Sequence, residues 1–202
     1  IKSIGGTGAV GLASKKDVVI NGGDVCLLSF DDCIKATSSV KINAGRVFCA
    51  SVVDDGIDSG GLIDLQGGLI SVFGPYPQEG AFDNNGKTFS IGAGCTLVAV
   101  GTKSDSPWAD KSTQSTLLVK KQPADKYITV TDAAGNALIA FETPNHPTMT
   151  LVISTPSLVA DAKYSVYGHP ICEGGREYMS IIDKGTFKNG KLVATVTASG
   201  HK

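Results

Sequence analysis

Seven acids in the first half of the chain have the types and spacing to do chemistry: Asp31, Asp32, Asp54, Asp55, Asp58, Glu79 and Asp83. Four of them form two adjacent pairs, Asp31-Asp32 and Asp54-Asp55, and the second pair opens the run DDGIDSGG. Carboxylates that recur at the period of a repeating fold come to lie above one another. At the separation of neighbouring strands, about 4.8 Å, they repel unless they are solvated, protonated, paired with a base or bridged by a cation. Calcium takes about six to eight oxygen ligands, which carboxylates and turn carbonyls supply. One reading is therefore Ca2+ held between coils. The other is a solvated polar turn, because Asp and Gly are ordinary turn residues. Lys35 stands where Asp58 stands one repeat later. It is expected to pair with Asp58, weakening the metal reading there, and not to reach Asp83.

The elements that must position these acids form a repeat. Four segments begin at Val10, Ile34, Ile57 and Phe82, spaced 24, 23 and 25 residues apart, and share a glycine at Gly23, Gly45, Gly68 and Gly94. Around that glycine the apolar residues alternate. Val18, Ile20, Val25 and Leu27 correspond to Val40, Ile42, Val47 and Cys49, then to Ile63, Leu65, Ile70 and Val72. The fourth set is Phe89, Ile91, Leu97 and Ala99, with one extra residue near Cys95 that predicts a bulge. Each repeat reads as two short strands, buried on one face and joined by a glycine turn. That pattern predicts an all-β parallel β-helix over residues 1–101. A leucine-rich repeat of similar length would need an LxxLxL run, which is absent.

From residue 102 the pattern changes. Residues 102–116 are polar and read as a loop. Strands are predicted at 117–121, 127–131, 137–142, 149–154, 163–167, 178–182 and 192–197, with turns at DAAGN and at Asn189-Gly190. Residues 102–202 are expected to form an antiparallel β cap, since an open solenoid end exposes unpaired edges.

Composition narrows the classes of function. The chain has 25 Gly, 6% aromatic, 18% charged and 42% hydrophobic residues, which suits a turn-rich β protein. The net charge is −1 and the arginines are Arg46 and Arg176, so no basic field is available for nucleic acid. No apolar run is long enough to span a membrane. The opening IKSIGG carries no signal-peptide pattern and reads as an internal start. The five cysteines have no zinc spacing and are expected to act as small buried hydrophobes. No HExxH, GxSxG or phosphate-binding glycine loop occurs, and GTGAVG is not followed by a helix. A calcium-dependent lyase would need a base beside the metal. Lys35 is a poor candidate, and Arg46 follows the turn glycine on a different edge. Among the aromatics, Tyr76 lies in the insertion GPYPQEG and is a fair sugar platform. Trp108 reads either as a second platform or as a packed loop anchor.

DDGIDSGG, ISVFGP, GAFDNNG and SIGAGCTLVAVG, in that order, resemble the carbohydrate-binding β-helix domain family of bacterial extracellular proteins. STLLVKK, ITVTDAAGNALIAFETP and LVISTPSLVADAKYSVYG are similar to its C-terminal section, and the likeness covers about residues 7–168. It implies a right-handed parallel β-helix of the pectate-lyase type with bound Ca2+. It also implies a secreted or cell-surface protein that binds cellulose, pectic or other acidic plant cell-wall polysaccharide without established lyase activity. Carried over by residue, it nominates Asp54, Asp55, Asp58 and Asp83 as metal ligands; Asp31 and Asp32 follow less directly, because their coil reads DDCIK rather than DDGID, and the repeat alignment adds Glu79 near the next level. The sugar contacts expected are Tyr76, Trp108 and Lys35. Two departures bear on those sites: Asn85 stands where the family often has Asp, and Ala44 replaces a turn glycine. The alternatives are a structural or adhesive surface solenoid without a sugar site and, further off, a divergent polysaccharide lyase.

Overall fold

Alternating apolar residues make strands only where a partner covers one face, and here the partner is the next coil. The computed structural model describes residues 1–123, 125–144 and 146–200. Residues 1–101 wind into a parallel β-solenoid of stacked coils with three sheets. The long sheet stacks Lys2–Ile4, Asp24–Ser29, Arg46–Ser51, Gly68–Phe73 and Cys95–Gly101. One short sheet stacks Asp17–Ile20, Ser39–Ile42, Leu62–Leu65 and Phe89–Ile91. The other stacks Leu12–Ser14, Ile34–Ala36, Ile57–Ser59 and Phe82–Asp83. Each coil therefore holds three strands rather than the two that the alternation predicts. The third strand is only two or three residues long, too short to show a period.

The inward ladders run as the repeat predicts. Val25, Val47, Ile70 and Leu97 stack in register, as do Leu27, Cys49, Val72 and Ala99. Val18, Val40, Ile63 and Phe89 form a third column, and Ile20, Ile42, Leu65 and Ile91 a fourth. The fifth column corrects one anchor: Leu12, not Val10, lies under Ile34. The extra residue near Cys95 makes no bulge either. Pairing is continuous from Gly68↔Cys95 to Phe73↔Val100, and the added residue lengthens the turn at 92–94. Gly45 and Gly68 turn the chain at φ +101° and +97°, a region hostile to side chains.

Residues 102–116 are more than a link. Asp105, Trp108 and Thr113 donate their backbone N–H groups to the carbonyls of Phe82, Phe89 and Ile91. The Ser112 hydroxyl, Thr113 hydroxyl and Gln114 amide oxygen accept from the N–H groups of Ile91, Ala93 and Gly94. This is an irregular fifth coil, held by side-chain hydrogen bonds in place of a regular ladder. The chain then reverses. Thr148–Ser154 pairs antiparallel with Cys95–Gly101, and Leu117–Pro123 pairs antiparallel with Thr148–Ser154 to form the sheet's edge. Register shifts between Val119 and Gln122.

A separate six-stranded sheet is ordered Arg176–Tyr178, Ile181–Asp183, Ala137–Glu142, Tyr127–Thr131, Lys163–His169 and Lys191–Thr197. It covers the outer face of the long sheet. The stretch 178–182, predicted as one strand, is a tight hairpin, because Met179 and Ser180 take φ of 48° and 70°. Leu97 and Ala99 face the solenoid core, while Val98 and Val100 face a second core with Val130, Phe141, Leu151 and Ile153. Cys95–Gly101 thus serves both cores.

Ile63 is fully buried, whereas Val19 on the same sheet is 50% exposed. Urea unfolding of Ile63→Ala is expected to show a loss of about 2–5 kcal/mol. Val19→Ala is expected to stay within about 0.5 kcal/mol of the parent.

Candidate functional site

The turn that leaves each long-sheet strand carries the acids. Asp31-Asp32 follows Asp24–Ser29, Asp54-Asp55 follows Arg46–Ser51, and Glu79 follows Gly68–Phe73. Because the coils are in register, these turns stack. Two groups of carboxylates result, Asp31-Asp32-Asp54 and Asp54-Asp55-Glu79, each with oxygens within 4.8 Å of one another. Asp54 belongs to both. In each pair the first carboxylate caps the next residue. Asp31 Oδ1 accepts from the N–H of Asp32 at 2.9 Å, and Asp54 Oδ1 from that of Asp55 at 3.0 Å.

The second acid of each pair points inward. Asp32 is wholly buried and Asp55 is 4% exposed. Asp55 Oδ1 accepts the Gly80 N–H at 2.8 Å. Asp32 Oδ2 binds Lys35 Nζ at 2.6 Å, while its Oδ1 is buried without a hydrogen-bond partner. Burial pushes the Asp32 carboxyl up to about 6, against the pull of the Lys35 ammonium. Burial also pushes Asp55 up to about 7, although the Gly80 N–H acts the other way. Asp54 is raised by desolvation and by its hydrogen bond with Asp31.

Two lysines answer this charge. Lys35 also holds Asp58 at 2.9 Å, as the sequence predicts; its grip on Asp32, three residues back, was not expected. Burial alone would lower the Lys35 ammonium, but its hydrogen bonds to Asp32 and Asp58 outweigh that and raise it, so it is no free base. Lys103, from the irregular fifth coil, binds Glu79 at 2.8 Å. The sequence hid it because residues 102–116 read as a loop. Arg46 pairs with Asp24 and lies 4.9 Å over the Tyr178 ring, away from the acids as predicted.

Asp58 and Asp83 join neither group among the described residues. They stack above Lys35 in one column on the outer face of the second short sheet, with registers Lys35↔Asp58 and Asp58↔Asp83. The Asp83 carboxylate is spent on a local turn, accepting the Asn85 N–H at 2.7 Å. An open groove of about 470 Å³ along this face is lined by Ala13, Lys35, Asp58, Gly60 and Asn85.

The aromatics separate. Tyr76 is 43% exposed in the turn that carries Glu79. With Val52, Val53, Pro77 and Glu79 it lines a pocket of about 220 Å³. Val52 and Val53 are themselves exposed, an oddity in a run that otherwise buries its apolar residues. Trp108 is 39% exposed but sits beyond the last strand of the first short sheet, tied to the Phe89 carbonyl, and is not brought to the acids.

The donor set suits a hard cation. It is all carboxylate oxygen, and the buried Asp32 Oδ1 lacks any other partner. Asp31, Asp32 and Asp54 would hold such an ion on one side of Asp54, and Asp54, Asp55 and Glu79 on the other. No helix among the described residues is long and apolar enough to cross a membrane. Comparison of the chain with protein families, with characterised proteins and with solved structures gives no match.

Raised carboxyl values tie stability to pH. Asp32 and Asp55 bind protons more tightly folded than unfolded, so their contribution is complete below about pH 4 and is lost as pH rises through about 6 and 7. In chelator, the melting temperature is expected to fall as pH rises from about 4, the unfolded value, through the folded values of about 6 and 7, and to level off by pH 8. Asp55→Asn, which keeps an acceptor for Gly80, should flatten that fall and melt higher than the parent at pH 8. An unchanged slope in the variant would contradict the assignment.

Proposed function

We propose that the chain is a non-catalytic carbohydrate-binding protein, secreted or at the cell surface. Its ligand is plant cell-wall or another acidic polysaccharide, and Ca2+ is held at the stacked acidic turns. One observation carries this reading: Glu79 belongs both to a carboxylate group and to the pocket beside the exposed Tyr76. A flat aromatic ring with aliphatic neighbours takes the apolar face of a sugar, and carboxylates accept from its hydroxyls. An acidic edge would repel a uronate polymer on its own. A divalent cation bridging protein and sugar carboxylates turns that repulsion into attraction, so retention of an acidic glycan should depend on Ca2+.

A structural or adhesive solenoid is the second reading. It is favoured by Lys35 and Lys103, which already neutralise Asp32, Asp58 and Glu79 from within the chain. A lyase is the weakest, because the raised Lys35 ammonium is not available to take a proton.

Calcium titration by calorimetry is expected to show binding, with a melting temperature that rises with Ca2+ and falls in chelator. Asp54→Asn should remove most of that response, since both groups share Asp54. Polygalacturonate beads should retain the parent protein only with Ca2+. Tyr76→Ala should weaken retention by about tenfold while leaving the calcium titration intact. No retention under either condition, with melting unmoved by chelator, would favour the structural reading.

A further inference from the structure

The solenoid interior contains a pair of facing cysteines that the calcium and sugar readings do not use. The residue just before each strand of the second short sheet points into the core beside the end of the long-sheet strand of its own coil. In the third coil that residue is Gly56, and a Cβ added there would run into Val72 Cγ1. In the second coil the same two places are Cys33 and Cys49. The register of Ile34 with Ile57 and of Cys49 with Val72 fixes the equivalence. In the fourth coil they are Ala81 and Ala99. The pairs Gly–Val, Cys–Cys and Ala–Ala trade bulk across one small gap. Cys33 and Cys49 are fully buried. Cys33 Sγ donates to the carbonyl of Leu27, the register partner of Cys49, at 3.6 Å. The other cysteines lie elsewhere: Cys26 alternates to the outer face with Phe48, Cys95 pairs in register with Gly68, and Cys172 belongs to the C-terminal hairpin.

We propose that Cys33 and Cys49 are a redox pair that closes to a disulfide, tying the start of the second coil to its end. The oxidant is a small disulfide such as oxidised glutathione. One thiolate attacks a sulfur of that disulfide, forming a mixed disulfide and releasing one glutathione thiolate. The second thiolate attacks the protein sulfur and releases the other glutathione. Two protein thiols are oxidised, one glutathione disulfide is reduced to two thiols, and the protons pass to those thiols. Since both sulfurs are buried in the folded chain, the exchange belongs to the time before the coil closes, or to its reopening. The link then fixes the turn that carries Asp31 and Asp32.

The test is refolding of the reduced chain in a glutathione redox buffer, followed by alkylation, thiol titration in denaturant and a non-reducing peptide map. Three of the five thiols should remain free, with one linked peptide joining Cys33 to Cys49. Melting should rise by roughly 5–10 °C relative to the reduced protein. The double variant Cys33→Gly/Cys49→Val copies the third coil, so it should fold and lose the glutathione-dependent shift. Five free thiols in the refolded parent, or a link that excludes either residue, would overturn the proposal. The same shift in the double variant would also overturn it. The peptide map of the parent decides the matter alone if that variant does not fold.

Discussion

Parallel, in-register stacking of the coils is the constraint on which everything else rests. The backbone amides of one coil bond to the coils on either side, so residues at the same place in the repeat are forced into one column. Columns inside the solenoid must be apolar, which the ladders from Val18 to Phe89 and from Val25 to Leu97 satisfy. Columns at the turns must leave room for close backbone approach, so a side chain at Gly45 or Gly68 would meet the backbone of the coil before it. The same rule makes no exception for charge. Acids that recur at the turn are stacked whether or not that is favourable.

The molecule handles that charge differently in two places. On the outer face of the second short sheet, Lys35 stands in the column of Asp58, and the ladder is neutralised in place. At the corner after the long sheet, two acids per turn leave no position for a base within the column. Relief comes instead from burial, which favours the protonated form of Asp55, and from lysines reaching in from the side. Asp31 and Asp54 bring carboxylate oxygens within 4.8 Å of each other and form no ion pair among the described residues. A cation would relieve this corner, and the proposed function turns on it.

The repeat was readable because burial on one face of a strand leaves period-two alternation in the sequence. Four interior columns, the stacking of Asp31-Asp32 under Asp54-Asp55, and the pairing of Lys35 with Asp58 all follow from aligning the repeats. What was hidden had no such period. The strand Ile57–Ser59 is too short to alternate. The fifth coil replaces ladder bonds with Ser112, Thr113 and Gln114 side chains, so its polarity looks like that of any loop. Lys103 was lost with it. Chain reversal at Thr148–Ser154 depends on contacts between segments far apart in sequence, which no local pattern encodes. Asp58 and Asp83 were grouped with the other acids because the repeat gives their column, not the side of the coil on which that column faces.

The reversal also gives the solenoid a direction. A parallel coil offers on its far side the same arrangement of amides and carbonyls that it accepts on its near side, so by itself it is a template that can be extended without limit. Once Thr148–Ser154 runs the other way, that self-similarity is gone. The strand laid on it, Leu117–Pro123, then presents a shifted register, exposed Lys120 and Lys121, and a proline that cannot donate. The edge at Leu117–Pro123 therefore does not match the parallel edge that a head-to-tail filament requires. A sequence built from the repetition typical of fibres is in this way closed to further regular coils beyond Cys95–Gly101.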